Sequence, residues 1–137
     1  MSAYRNSVSV DEFVSPIDHF VNAETSLQEI YNLMEENSWR HIPITDGNKP
    51  IGILSSRDIY LLKNLPEAMS LLAKDVMVKD PYTVEAGLAI EEVALEMSKR
   101  KIGSALVVNN SGELEGIFTS TDALNALIEI VRGEAKN

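Results

Sequence analysis

The chain has 137 residues, no cysteine and a formal net charge of −9. That length makes one ordinary domain with a real core, and a cysteine-free chain forms neither disulfides nor thiolate metal sites. Acidic side chains outnumber basic ones 10 to 5 in residues 1–68 and 11 to 7 in residues 69–137, a field that repels phosphate backbones and sets nucleic acid aside as a partner.

No apolar run reaches the roughly 20 residues of a membrane helix. The opening "MSAYRNSVSVDEF" has no basic start followed by an apolar stretch, so no signal peptide is expected, and the chain reads as soluble and cytoplasmic, with no membrane partner.

Along the chain, "EFVSPIDHFV" (12–21) reads as a turn leading into a short strand. In "TSLQEIYNLMEEN" (25–37), Leu27, Ile30, Tyr31 and Met34 fall at i, i+3, i+4 and i+7, the single apolar stripe of an amphipathic helix. Ser26 and Glu29 have capping-box spacing at its start. "HIPIT" (41–45) is a short buried strand and "DGNKP" a hairpin turn. After Gly52 a strand of two or three residues runs into a second helix, "RDIYLLKN", and "NLPEAMSLL" (64–72) is the connector to the rest of the chain.

The pattern then starts again. "DVMVKDPYTV" repeats the opening turn and strand, and a shift of 63 lays Ile90, Val93, Ala94 and Met97 of "LAIEEVALEMSKR" on the first helix stripe. "SALVVN" from Ser104 repeats the buried strand. One extra turn residue in "NNSGEL" makes the shift 64, so that "GIFTSTD" (116–122) lies on "GILSSRD" (52–58), ahead of the helix "TDALNALIEIVRG". An internal repeat of this kind outranks any local reading. Each half is β-α-β-β-α, divided as residues 1–68 and 69–137. Two marginal half-size units are expected to pack sheet to sheet as one α+β domain with pseudo-twofold symmetry.

Ser55-x-x-Asp58 and Thr119-x-x-Asp122 have helix-capping spacing, and capping alone is the plain explanation. Three further properties suit a nucleotide. Gly52 and Gly116 allow close approach to the strand. A helix start offers unpaired N–H groups and a positive dipole end to phosphate. A carboxylate there can accept two hydrogen bonds from a ribose diol.

The doubled unit, with "RHIPI…GILSSRD" and "IGSALVV…GIFTSTD", resembles a tandem cystathionine-β-synthase-type (CBS) domain pair over roughly residues 10–132. The resemblance implies a regulatory module with two clefts that binds an adenosine compound (AMP, ADP, ATP or S-adenosylmethionine), and a tendency to dimerise. In the first cleft it implies Asp58 on the ribose, Ser55 near the phosphate, and Thr83 with the strand Ile102–Leu106, including Ser104. In the second it implies Asp122 and Thr119 in those roles, with Phe20, Val21 and the stretch Trp39–Pro43. Ile42, Pro43, Ala105 and Leu106 would sandwich the base, and Arg57 and Thr121 are further ligand candidates. Phe20 stands where the other copy has Thr83, and Arg40 and His41 stand where it has Gly103 and Ser104. The first cleft is therefore expected to suit an adenosine moiety and the second to be better charged for phosphates, since Arg makes forked contacts to them.

The remaining polar residues suggest no chemistry. His19 reads as a surface residue, His41 as either a phosphate contact or strand-edge packing, and neither has metal-ligand spacing. "KRK" (99–101) is expected as a solvated helix end, and Trp39, the single tryptophan, as a core residue more than a base-stacking one. Met34 and Met97 are matching core positions. With no P-loop, nucleophile elbow or triad, no catalysis is expected. No resident cofactor or metal is expected either, magnesium entering only with a polyphosphate. The output of such a module passes to a homodimer partner, through the apolar faces of "EEVALEMSKRK" and "TDALNALIEIV", or to a regulated enzyme or transporter.

Overall fold

Helix α1 (Leu27–Asn37) starts where the Ser26 hydroxyl accepts the Glu29 N–H at 3.2 Å, and ends at Ser38 in the left-handed conformation, φ 56°. It buries Leu27, Ile30 and Met34, three positions of the expected stripe, and leaves Tyr31 half-buried. Helix α4 (Ile90–Arg100) buries Ile90, Val93 and Met97 in the same way and ends at left-handed Lys101. The computed structural model describes residues 8–17 and 19–133.

Between and around these helices the described residues form β1 (Ser15–Pro16), β2 (Val21–Asn22), β3 (His41–Asp46), β4 (Lys49–Ser55), α2 (Ser56–Leu62), α3 (Ala73–Val76), β5 (Val78–Lys79), β6 (Thr83–Glu85), β7 (Ser104–Val108), β8 (Leu114–Thr119) and α5 (Ser120–Arg132). Two four-stranded sheets result, ordered β2-β3-β4-β5 and β1-β8-β7-β6, so the chain is α+β. In each sheet one short strand runs parallel to its neighbour (β2 with β3, β6 with β7) and the hairpin and remaining edge are antiparallel. The hairpin strands β4 and β8 are longer than the two or three residues expected after the glycines. They begin before Gly52 and Gly116, because Lys49 pairs with Asp46 and Leu114 with Val108 across the turn. Gly47 at φ 65° and Gly112 at φ 81° take the left-handed conformations of those turns.

Compaction groups the chain differently from a cut at 68/69. One unit holds residues 8–17 with 82–133, the other residues 19–81. The cause is an exchange of the segments that precede each repeat. Strand β1, ahead of the first repeat, closes the second repeat's sheet against β8, while β5, ahead of the second repeat, closes the first repeat's sheet against β4. The helix starts obey the same rule: Ile90 N–H donates to the Val8 carbonyl and Leu27 N–H to the Leu71 carbonyl, each at 2.8 Å.

Each unit has its own core. Leu27, Ile30, Met34, Ile42, Ile44, Leu54, Ile59, Met69 and Ala73 form one. Val8, Val10, Val84, Ile90, Val93, Met97, Ala105, Val107, Phe118 and Ala126 form the other. Met69 lies in the stretch read as a connector, which therefore also supplies core. Among the described residues, no helix is long and apolar enough to cross a membrane.

Gly52 and Gly116 are explained by the exchange. A Cβ on Gly116 would lie 2.9 Å from the Ser15 carbonyl oxygen and 3.2 Å from Val14 Cγ2, and a Cβ on Gly52 would collide with the Met77 thioether. The group that approaches each glycine closely is the incoming edge strand. Gly116→Ala should displace β1 and cost about 1–3 kcal/mol in denaturant unfolding, as overpacking does. Gly87→Ala, whose Cβ meets nothing within 4 Å, should stay within about 0.5 kcal/mol of the parent.

Candidate functional site

The strand-to-helix junctions carry the polar residues. Ser55 ends β4 in extended conformation (φ −105°, ψ 155°), and its hydroxyl accepts the Asp58 N–H at 3.3 Å. The next residue turns into α2 while its N–H donates to the Arg40 carbonyl at 2.8 Å, and Ser55 sits opposite His41 in the sheet. One sheet end thereby gathers Arg40, His41, Ser55, Arg57 and Asp58. The second repeat builds the same junction: Ser120 N–H donates to the Gly103 carbonyl at 3.0 Å, and Ser104 sits opposite Thr119. Its end gathers Gly103, Ser104, Thr119, Thr121 and Asp122.

The two carboxylates are held differently. At the second junction the Thr119 hydroxyl accepts the Asp122 N–H at 3.2 Å. Asp122 Oδ2 in turn accepts the Thr119 N–H at 2.8 Å and the Thr119 hydroxyl at 3.0 Å, a complete capping box. The Ser15 hydroxyl, on β1, lies 3.2 and 3.4 Å from the two Asp122 oxygens. Among the described residues nothing donates a hydrogen bond to the Asp58 carboxylate. It stands in the first turn of α2, where the helix dipole favours a negative charge. Sequence reasoning misses Ser15 as a site residue: the position matching it in the other repeat is Val78, so the duplication gives no signal for a hydroxyl there.

The charges around Asp58 are mixed. Arg40 and Arg57 are exposed, and His41 is half-buried. Burial holds His41 below its ordinary pKa, the neighbouring Arg40 guanidinium lowers it further, and the Asp58 carboxylate opposes both. A neutral imidazole at physiological pH results, flanked by one cation and one anion.

The apolar candidates divide by strand alternation. Ile42 and Ala105 belong to the cores of their own units, each 1% exposed. Alternation turns both side chains inward, toward the core of their own unit. Pro43 and Leu106 are buried on the opposite strand faces. Val21 is half-buried on β2 beside Ile44, Thr83 opens β6 beside Leu106, and Phe20 and Ile102 are exposed.

His19 is exposed and lies tilted against Trp39 with ring centroids 4.8 Å apart. Trp39 is half-buried against its unit's core. Of the basic helix end, Arg100 pairs with Glu96 at 2.7 Å and covers the Tyr82 ring at 4.5 Å, and Lys101 is the left-handed cap. Among the described residues, no group of three His, Asp or Glu could hold a metal ion.

Comparison with known proteins places this arrangement. Residues 10–62 and 73–129 each match the CBS domain. The inosine-5'-monophosphate dehydrogenase of Korarchaeum cryptofilum is 39% identical over 102 residues, which are 74% of this chain and 21% of that enzyme. The chain thus spans about a fifth of the dehydrogenase it matches. The crystal structure of AcuB from Vibrio cholerae has a TM-score of 0.80 at 29% identity and covers 96% of this chain and 100% of AcuB. That of CBSX2 in complex with AMP has a TM-score of 0.78 at 25% identity and covers 89% of this chain and 97% of CBSX2.

The position of His41 gives the site a pH signature. The unfolded chain takes up a proton at the ordinary value near 6.5, and the folded chain only at lower pH. Stability contributed by neutral His41 is therefore fully present above 6.5 and is lost as pH falls through that value toward the folded pKa. Denaturant unfolding at about pH 7.5 and 5.5 should show the parent losing more stability on acidification than His41→Gln, which cannot titrate.

Proposed function

The chain belongs to the CBS-domain family, and from that premise we propose that it is a regulatory module that binds an adenosine nucleotide and signals its presence to a protein partner by a change of conformation. The observation that carries this reading is the Asp58 junction. A carboxylate without a hydrogen-bond donor among the described residues stands at a helix start, beside Arg40, Arg57 and a neutral His41. The carboxylate suits two vicinal hydroxyls, and the guanidiniums and helix dipole suit phosphate. The likeness to CBSX2, crystallised with AMP, supports the same ligand class.

In this reading Asp58 grips ribose, with Ser55 near the phosphate. Magnesium enters only with a polyphosphate. The module is not itself catalytic and acts in the cytoplasm as a homodimer, its partner an enzyme or a transporter. Binding shifts a conformational equilibrium only by as much as the nucleotide prefers one state.

At the Asp122 junction a second reading, pure helix capping, is favoured by the closed capping box and by Ser15. A nucleotide there must displace those donors, so the Asp122 junction is the weaker site.

A thermal-shift panel of AMP, ADP, ATP and S-adenosylmethionine tests the reading. Ligand at one hundred times its Kd should add about 2.7 kcal/mol, a rise of several degrees for a domain of this size. Asp58→Ala should lose most of the rise at little cost to the free protein. Asp122→Ala should keep most of the rise and lower the starting Tm, because it removes a cap worth about 1 kcal/mol. No rise with any of the four compounds would leave capping as the function of both motifs.

A further inference from the structure

Helices α1 and α2 leave a hollow of about 260 Å3 between them, with Tyr31, Met34, Glu35, Trp39, Ser56 and Tyr60 among its walls. It holds room for roughly eight water molecules, less than the roughly 300–1,000 Å3 of a pocket for a drug-sized ligand. Its occupant is therefore small. The Tyr31 and Tyr60 rings stand edge to face at 88° with centroids 6.0 Å apart, and both border the hollow. Trp39 forms another wall and is braced from His19. The Glu35 carboxylate accepts the Tyr60 hydroxyl, which fixes an anionic group beside the aromatic rings.

Rings at right angles with a carboxylate beside them make a cation receptor, because each aromatic face is electron-rich and the carboxylate supplies full charge. Tyr60 already shows this preference: the Lys63 ammonium lies 4.6 Å from its centroid, and Lys63 is not one of the residues that line the hollow. The net charge of −9 attracts cations from solution.

The repeat supplies an independent argument. The positions matching Tyr31, Glu35, Trp39 and Tyr60 in the second repeat are Ala94, Ser98, Ile102 and Leu124. The fold is built there without an aromatic ring or a carboxylate, so the packing of the two helices does not require them in the first repeat. We infer that the hollow between α1 and α2 is a binding site for a small organic ammonium ion, held by the rings of Tyr31, Trp39 and Tyr60 and the carboxylate of Glu35. Asp58 is not among the residues that line the hollow, and the inference stands whether or not the chain binds nucleotide.

Trp39 is the only tryptophan, so its fluorescence reports the site directly. The purified full chain is titrated with choline, a quaternary ammonium, with putrescine, a primary one, and with the neutral carbon analogue of choline. A saturable change with choline or putrescine is expected, and the neutral analogue should bind about tenfold more weakly or not at all. Glu35→Gln removes charge at an exposed position and should weaken binding about fivefold. Tyr60→Leu installs the residue that the second repeat carries at this place, so the fold is kept and saturation should be lost. Equal binding of the neutral analogue, a response to both cations that never saturates, or affinities that neither substitution changes would overturn the assignment.

Discussion

The hydrogen bond from the Ser56 N–H to the Arg40 carbonyl, and its twin from Ser120 to Gly103, fix where strand, helix and site meet. Each ties the first residue of a helix to the residue just ahead of the neighbouring strand, while a hydroxyl one position earlier caps that helix. Without this tie the helix could leave the sheet at another angle, and Arg40 and His41 would not share an end with Ser55 and Asp58. The arrangement uses the helix start twice, since the N–H groups left unpaired by the fold are the groups that favour an anion.

The exchanged edge strands give this junction its backing. Each pairs with the strand that ends in the capping hydroxyl, and each needs a glycine on that strand to come close. In the unit closed by β1 the exchange also delivers Ser15 to Asp122. In the unit closed by β5 the matching residue is Val78, which has no hydroxyl to give, and the Asp58 carboxylate stays without a donor among the described residues. The two motifs therefore differ in chemistry on two counts: Ser15 reaches Asp122 from outside the motif, and Thr119 closes a capping box on Asp122 that Ser55 does not close on Asp58.

This division also explains what could be read from the chain. The helix stripes, the buried strands and the hydroxyl caps were legible because each is a local pattern at a fixed spacing, and the structure forms them at Leu27–Asn37, Ile90–Arg100, Ser55 and Thr119. The early start of β4 and β8, the core role of Met69, the exchange of β1 and β5 and the bond from Ser15 to Asp122 depend on residues far apart in sequence. No local period announces such pairings. The inward turn of Ile42 and Ala105 was legible in principle, since alternation puts them on the face opposite Pro43 and Leu106, but an apolar residue reads alike as core or as ligand lining.

In the proposed function adenosine compounds are sensed chiefly through Asp58, whose carboxylate is open among the described residues, while that of Asp122 is closed by its own cap. The claim rests on recognition of the sugar, so calorimetric titration should compare AMP with its analogue lacking both ribose hydroxyls. The account predicts that the analogue binds at least about tenfold more weakly to the parent chain, as two lost charge-assisted hydrogen bonds require, and that Asp58→Asn removes most of the difference. Equal affinity of the parent for the two compounds would contradict it.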